Sequence, residues 1–259
     1  MDIICPICKN KLIKDEKRYY CENKHSFDIA SEGYINLYLK KSIDSGDSVE
    51  SMTARHNFLS LDYYSFLKDE INKIIKDLKV TSLLDLACGE GYYTKDLCTL
   101  EKIGIDLSKK GLKLASKRDK STTYILSSIF HCPIKDESVD MILTCFAPIA
   151  KEEIRRILED NGYFLLINPH RDHLIELKEA IYDNPYENVD EDIEIEGLKL
   201  IEKRVINQRR ILNQETIQNL FMMTPYFYKT SLQDKDKLNE IDELEITFSF
   251  NLYLYKKMR

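Results

Sequence analysis

Three cysteines and one histidine near the N-terminus have the residue types and the spacing of a metal site. Cys5 and Cys8 form a C-x2-C pair, and Cys21 and His25 form a C-x3-H pair after twelve intervening residues. Two short loops of this kind can turn four side chains onto one ion, which suits tetrahedral zinc. Because all four positions are protein side chains, no position is left for a reacting water. The spacing therefore predicts a structural zinc site.

A second stretch with the pattern of a binding site runs from Leu83 to Thr94. An apolar strand leads into the turn Gly89-Glu90-Gly91, where the backbone can approach a ligand closely. A dinucleotide site needs a third glycine, but Thr94 stands at that position. Asp106 ends the next predicted strand, where a carboxylate can accept hydrogen bonds from both hydroxyls of an unphosphorylated ribose. The pattern favours S-adenosylmethionine. The candidate cofactor-binding residues here are Asp85, Gly89, Glu90, Gly91 and Asp106.

Two further loops fall at the same edge of the predicted sheet. Ser128 follows the third strand, where class I methyltransferases usually contact the adenine, and it is a further candidate cofactor residue. Phe146 and Pro148 follow the fourth strand, where the target base usually lies, because ligands of such sheets gather at the carboxyl ends of strands. Core packing of Phe146 and a helix start at Pro148 explain those two residues equally well.

Elements that could position these residues follow from hydrophobic periodicity. Apolar residues at helical spacing between Met52 and Leu78 predict one or two amphipathic helices. Beyond them, strands are predicted at Ser82–Ala87, Ile103–Leu107, Thr123–Leu126, Met141–Thr144, Tyr163–Asn168, Leu198–Gln208 and Ile246–Tyr255. Helices are predicted at Tyr92–Leu100, Lys109–Lys117, Lys151–Leu158, His173–Tyr182 and Glu215–Met222. This alternation predicts an α/β fold, with a mostly parallel sheet covered by helices on both faces.

Composition narrows the possible functions. The 259 residues are 43% hydrophobic and 32% charged, as in an ordinary globular chain, and no apolar run reaches the about 20 residues of a membrane span. The N-terminus lacks a secretory signal pattern, so we expect a cytoplasmic protein. A net charge of −6 disfavours a nucleic-acid partner. Lysines among residues 1–41 could still form a basic face. The remaining cysteines, Cys88, Cys98, Cys132 and Cys145, are expected to be small core residues.

The two constellations together resemble one known family, the RlmA-type 23S rRNA (guanine-N1)-methyltransferases, which include the tylosin-resistance enzyme. The resemblance spans nearly the whole chain. It rests on Cys5-Pro6-Ile7-Cys8, Cys21 through His25, Phe27-Asp28, Glu32 through Leu37, Gly46-Asp47-Ser48, Ala54-Arg55, Phe58-Leu59, Cys88 through Thr94, His173-Leu174, Glu176 through Lys178 and Met223-Thr224-Pro225. Tyr228 stands where relatives have tryptophan, a change that would preserve stacking on a base. The loop 168–172 also departs from those relatives.

The resemblance implies a class I methyltransferase fold with a seven-stranded, mostly parallel sheet and a small N-terminal zinc-binding module. The corresponding boundaries are residues 1–41 for a zinc module that helps to grip RNA, 42–61 for a linker and 62–259 for the methyltransferase domain. The resemblance also implies a homodimer that methylates N1 of a guanine in a hairpin loop of 23S rRNA domain II. It implies that Tyr64, Gly89, Glu90 and His173 contact S-adenosylmethionine. Without the resemblance, an apolar helix face is the better explanation of Tyr64, and a helix cap is the better explanation of His173.

Three functional classes remain open at this point. The first is the rRNA methyltransferase, whose catalytic base the sequence leaves unassigned. The second is a methyltransferase of a small molecule, which would have little need of a zinc module. The third is a zinc-containing RNA-binding protein without catalysis. Binding of S-adenosylmethionine separates the third class from the others, and affinity for RNA separates the first from the second.

Overall fold

The computed structural model describes residues 1–40, 48–189 and 193–259. Most of the polar linker stretch predicted at residues 41–48, including Gly46 and Asp47, lies outside the described residues, as do Asp190, Glu191 and Asp192 of the acidic loop. No helix in the described ranges is long and apolar enough to cross a membrane.

A twisted sheet of eight strands forms the centre of the molecule. Seven of its strands come from the second part of the chain: β5 (Ser82–Leu86), β6 (Glu101–Asp106), β7 (Thr123–Leu126), β8 (Val139–Cys145), β9 (Leu158–Pro169), β10 (Leu198–Asn213) and β11 (Glu243–Lys257). The strand order is β10-β11-β9-β8-β5-β6-β7-β4. Strands β5 to β9 pair in parallel, and β11 pairs antiparallel with β9 and β10. This arrangement confirms the expected class I methyltransferase sheet.

The N-terminal module is built into that sheet. Its own sheet consists of β1 (Ile13–Lys14), β2 (Arg18–Tyr20) and β3 (Ser26–Asp28). Strand β4 (Ile35–Asn36) then pairs in parallel with β7 and becomes the eighth strand of the large sheet. Ile3 forms a further bridge with Ile134. The zinc module is therefore joined to the methyltransferase domain by backbone pairing as well as by the chain.

Seven α-helices of the described ranges surround the sheet. They are α1 (Val49–Ser60), α2 (Ser65–Asp77), α3 (Lys109–Arg118), α4 (Lys151–Ile157), α5 (Ile175–Ile181), α6 (Gln214–Met222) and α7 (Leu232–Asp236). Successive residues of a strand point to opposite faces, so Leu83 enters one core while Leu84 and Leu86 enter the other. The first core takes the apolar faces of α1, α2, α5 and α6, and the second takes α4 and the zinc module.

The helix predicted at Tyr92–Leu100 is wrong. Only a single 3-10 turn, Thr94–Asp96, forms there, and the backbone is extended from Leu97. The side chain of Asn72 on α2 explains the difference, because its amide donates to the carbonyl of Asp96 at 2.9 Å and accepts from the N–H of Cys98 at 2.8 Å. These bonds satisfy backbone groups that a continuing helix would have used.

The four isolated cysteines do not share one environment. Cys132 is buried, as expected of a small core residue, whereas Cys98 is exposed. Cys88 and Cys145 are partly buried and line the cavity at the carboxyl ends of the parallel strands. The expectation of core packing therefore holds for Cys132 and fails for Cys98.

Candidate cofactor cavity and zinc cluster

A cavity of about 790 Å³ lies at the carboxyl ends of β5, β6 and β8. The chain builds β6 and β7 on one side of β5, and β8 and β9 on the other, so the cavity sits where the strand order reverses. That point is the usual ligand site of an open parallel sheet, and the volume is in the ordinary range of about 300–1,000 Å³ for small-molecule sites.

The turn after β5 brings backbone to the cavity floor. Ala87, Gly89 and Gly91 all have left-handed backbone angles, with φ of 64°, 55° and 70°. A Cβ atom on Gly91 would lie 2.6 Å from the hydroxyl oxygen of Tyr124, so only glycine fits there. Strained backbone at an alanine is uncommon and often marks a functional turn. The turn therefore has the tightly bent, glycine-dependent backbone that its sequence predicted.

Asp106 is oriented by the same turn. Its carboxylate accepts the backbone N–H of Gly89 at 2.8 Å through Oδ2 and the N–H of Ser108 at 2.6 Å through Oδ1. Each carboxylate oxygen can accept a second hydrogen bond, so the group can also take the hydroxyls of a ribose. Backbone donors hold it in place at the end of β6. Its position fits the ribose of an adenosine cofactor.

Asp85 lies deeper in the cavity wall. It is buried, and the hydroxyl of Thr94 donates to its Oδ2 at 2.5 Å. Burial, assisted by the nearby charge of Asp106, raises the pKa of Asp85 to about 7. A cationic group bound beside this carboxyl would favour its ionised form. The residue therefore suits the positively charged methionyl end of S-adenosylmethionine better than it suits a phosphate.

Glu90 is held by two basic side chains that the sequence pattern did not single out. Its Oε1 lies 2.7 Å from Nη1 of Arg118, and its Oε2 lies 3.0 Å from Nδ1 of His56. His56 belongs to α1 and Arg118 ends α3, so the carboxylate joins two helices beside the cavity. Nδ1 of His56 also lies 2.8 Å from Nη2 of Arg118, so the three side chains form one cluster. Glu90 therefore helps to fix the wall in which it stands.

Tyr64 and His173 are buried together in the wall, with ring centroids 6.4 Å apart. The backbone N–H of Ser249 donates to Nδ1 of His173 at 3.2 Å. Burial, and secondarily the charge of Lys178, lowers the pKa of His173 to about 3. Burial also raises the pKa of Tyr64. At neutral pH both rings are uncharged, so this part of the wall offers shape and aromatic surface.

The outer end of the cavity is largely apolar. Phe146 directly follows β8 with φ of 56°, and its ring is 39% exposed. Its ring centroid lies 5.2 Å from that of Phe250 and 6.3 Å from that of Tyr93. Pro148 and Pro169 line the same end. An exposed aromatic ring on a strained turn, backed by other rings, offers a flat surface on which a planar group could stack.

The four predicted metal ligands form a cluster. The sulfur atoms of Cys5, Cys8 and Cys21 and a ring nitrogen of His25 all lie within 4.8 Å of one another. Nδ1 of His25 is 3.5 Å from Sγ of both Cys5 and Cys21, and Sγ of Cys8 is 3.6 Å from Sγ of Cys21. A tetrahedron with Zn–S bonds of about 2.3 Å has ligand separations of about 3.8 Å, so the cluster fits zinc.

Known proteins with similar sequences share both parts. The family described as RlmA, N-terminal, a zinc ribbon, matches residues 3–39, and a methyltransferase domain family matches residues 77–235. YxjB of Bacillus subtilis, a proposed 23S rRNA (guanine-N(1)-)-methyltransferase, is 31% identical over 70% of this chain and 69% of its own length. The chain belongs to the RlmA-type 23S rRNA (guanine-N1)-methyltransferase family. This family assignment makes S-adenosylmethionine the methyl donor and zinc the metal of the cluster.

One further curated protein and one solved structure are similar to this chain. The 23S rRNA (guanine(748)-N(1))-methyltransferase of Streptomyces fradiae is 27% identical over 68% of this chain and 66% of its own length. A proposed methyltransferase of Bacillus halodurans has a solved structure that superposes with a TM-score of 0.51 at 15% identity, over 74% of this chain and all of that one. The latter supports the fold alone.

Six of the eight predicted cofactor residues of this RlmA-type chain line the cavity, and two do not. Those that line it are Tyr64, Asp85, Gly89, Glu90, Asp106 and His173. Gly91 is absent from the lining and shapes the turn instead. Ser128 is also absent, since its hydroxyl accepts the N–H of Phe130 at 3.2 Å, and the next two residues of that loop, Ile129 and Phe130, form the wall.

Helix α1 supplies the part of the methyltransferase cavity that motif reasoning missed. Met52, Arg55 and Leu59 line the cavity from one face of this helix, at spacings of three and four residues. The expected linker included these positions. The spacing of apolar residues from Met52 onward was a sequence signal for the helix, but nothing in it indicated that this face would cover a cofactor.

Proposed function

We propose that this chain transfers a methyl group from S-adenosylmethionine to N1 of a guanine in a hairpin loop of 23S rRNA domain II. The observation that carries the proposal is the occurrence, in one chain, of an RlmA-type zinc ribbon and a cofactor cavity of methyltransferase geometry. The relatives named as 23S rRNA guanine-N1-methyltransferases support the same substrate.

The inner end of the cavity would hold the cofactor. Asp106 would accept the ribose hydroxyls, the turn at Gly89 would support the adenosine, and Asp85 would face the cationic methionyl end. The bound cofactor supplies an activated methyl group on its sulfonium. The protein's contribution is then to position that methyl group and the nucleophile in line and to exclude water. Buried walls at Tyr64 and His173 serve the second purpose.

The outer end would receive the base. Guanine N1 is hidden when the base is paired, so the enzyme must take an unpaired loop guanine or turn the base out of its stack. Phe146 would offer the stacking surface, and Pro148 and Pro169 line the same cavity. The zinc module and the exposed ring of Tyr228 would contact the flanking RNA. We further propose that the enzyme acts as a homodimer in the cytoplasm, where its rRNA substrate is made.

The proposal is tested by following methyl transfer to RNA. Purified zinc-loaded protein is incubated with radiolabelled S-adenosylmethionine and an RNA hairpin from domain II of 23S rRNA. Methylation at N1 blocks Watson–Crick pairing, so a reverse-transcriptase stop should appear at one loop guanine. The same stop should be present in rRNA from cells that carry the gene and absent after its deletion.

Two controls separate this activity from the alternatives. An Asp106→Ala variant should retain its zinc and lose methyl transfer, which ties the activity to the cavity. Cofactor binding with no labelling of any 23S rRNA hairpin would favour a small-molecule substrate. RNA binding without affinity for the cofactor would instead identify a non-catalytic RNA-binding protein. Either result would contradict the proposal.

A further inference from the structure

The side chains that line the cavity carry more negative than positive charge. Three carboxylates line the cavity, namely Asp85, Glu90 and Asp106. Arg55 is the only lysine or arginine among the lining residues of the described ranges. His173 adds no positive charge at neutral pH, because burial keeps its imidazole in the neutral form. Among these lining residues, Arg55 is therefore the permanently charged cation that could bind the carboxylate of a ligand.

Arg55 is carried into the wall by α1. This helix begins at Val49 with the hydroxyl of Ser48 as its cap, and it directs Met52, Arg55 and Leu59 to the cavity. The sulfur of Met52 lies 3.6 Å from the hydroxyl of Ser108, beside the carboxylate assigned to the ribose. Arg55 stands one turn further along, about 5 Å up the helix axis. Arg55 is partly buried, and it lines the same cavity as Leu59, which lies one further turn along α1.

The helix that carries Arg55 is fixed to the turn Gly89-Glu90-Gly91, called the cofactor turn below. His56, the next residue, lies 3.0 Å from the carboxylate of Glu90, which also holds Arg118. These contacts set the rotation of α1 relative to the turn that cradles the adenosine. The backbone of Arg55 is thereby fixed beside the turn, and the planar donors of a guanidinium match the two oxygens of a carboxylate.

We propose that Arg55 binds the carboxylate of the methionyl end of S-adenosylmethionine. The inference rests on the proposed function of the cavity and adds one residue to it. Asp106 and Arg55 then hold the two polar ends of the cofactor, one at the ribose and one at the amino acid. The helix that follows the zinc module thereby becomes part of the cofactor site.

Titration calorimetry with two ligands tests this assignment. The ligands are S-adenosylhomocysteine and its decarboxylated analogue, which keeps the amine and lacks the carboxylate. Full-length Arg55→Met protein should bind S-adenosylhomocysteine about 10- to 100-fold more weakly than the unchanged protein, the usual effect of losing a hydrogen-bonded ion pair. Its affinity for the decarboxylated analogue should change by no more than about threefold. Arg55→Lys should restore part of the lost affinity, because it restores the charge.

An Arg210→Met variant is the matched control, since it removes the same charge from an exposed position on β10. It should leave both affinities unchanged. Equal weakening of both ligands by Arg55→Met would overturn the proposal and indicate a packing role. Unchanged cofactor affinity with weaker binding of the RNA hairpin would overturn it in favour of a phosphate contact. Failure of the unchanged protein to bind S-adenosylhomocysteine would refute the proposed function itself.

Discussion

The zinc module and the cofactor cavity are held in shape by different means. The module has strands of two or three residues, and its fold depends on four ligands that converge on one ion. The cavity instead depends on long parallel strands, on backbone donors such as the N–H of Gly89, and on glycines where side chains would collide. One region is stabilised by a metal and the other by the sheet beneath it.

The two regions should therefore lose their structure under different conditions. A small domain with so little core folds only when the metal is bound, whereas the cavity should survive loss of the metal. The regions are nevertheless linked, because β4 pairs with β7 and Ile35 and Leu37 enter a core shared with β5. Loss of the module's structure should therefore destabilise the edge of the large sheet at β4 and β7 but leave the cofactor turn intact.

The largest expected effect comes from removing a zinc ligand. Cys21→Ser should abolish zinc binding, because structural zinc contributes about 10–16 kcal/mol to the folding of small zinc domains. Methyl transfer to the RNA hairpin should fall by at least about 100-fold, since a change of only 2.7 kcal/mol produces that factor. Affinity for S-adenosylhomocysteine should persist. Zinc content by mass spectrometry and cofactor affinity by calorimetry check this, and loss of both together would contradict the separation of the two regions.

The reverse experiment alters the cavity and leaves the module intact. Asp106→Ala removes the acceptor assigned to the ribose and also leaves the N–H groups of Gly89 and Ser108 without their carboxylate partner. Affinity for S-adenosylhomocysteine should fall about 10- to 100-fold. Zinc content should remain that of the unchanged protein. Asp106→Asn, which keeps one carbonyl oxygen, should show a smaller loss; an equal loss would indicate that the negative charge is the essential feature.

A third substitution tests whether the cofactor turn depends on close packing. Gly91→Ala places a Cβ 2.6 Å from the hydroxyl oxygen of Tyr124 and forces alanine into a φ of 70°. The free energy of unfolding should fall by about 1–3 kcal/mol, as for strained backbone or an overpacked core. Urea denaturation measures it. Adding Tyr124→Phe removes the nearest atom, so the double variant should recover part of the loss. If it recovers nothing, backbone strain and the 3.0 Å approach to Cβ of Ala115 explain the cost.

Short local patterns were enough to predict the metal cluster and the strand ends that line the cavity. The zinc ligands are predictable because two short spacings define the whole cluster. Asp106 is predictable because an acidic residue at the end of the strand after the glycine turn is typical of a ribose-binding site. Arg55 and the contact between His56 and Glu90 were not, because α1 reaches the cavity only through tertiary packing across 34 positions of sequence. The helix predicted at Tyr92–Leu100 failed for the same reason, since Asn72 on another element ends it.

The last prediction concerns pH and involves only the cavity. Burial lowers the pKa of His173 to about 3 and raises that of Asp85 to about 7. Below the ordinary histidine pKa the unfolded chain binds more protons at His173, so this residue makes the fold less stable as the pH falls. Above the ordinary aspartate pKa the folded chain binds more protons at Asp85, so this residue makes the fold less stable as the pH rises. Each slope is about 1.4 kcal/mol per pH unit.

Between about pH 4 and 6.5 the two slopes are opposite and should largely cancel. Asp85→Asn should uncover the His173 slope, so its free energy of unfolding should rise more steeply with pH than that of the unchanged protein. His173→Gln should uncover the Asp85 slope and give the opposite change. Urea denaturation across this range measures both, with each variant compared with itself at different pH values, so that a constant cost of substitution drops out. Parallel curves for all three proteins would mean that neither group is buried in the state that unfolds, which would contradict the closed cavity wall at His173 and Asp85.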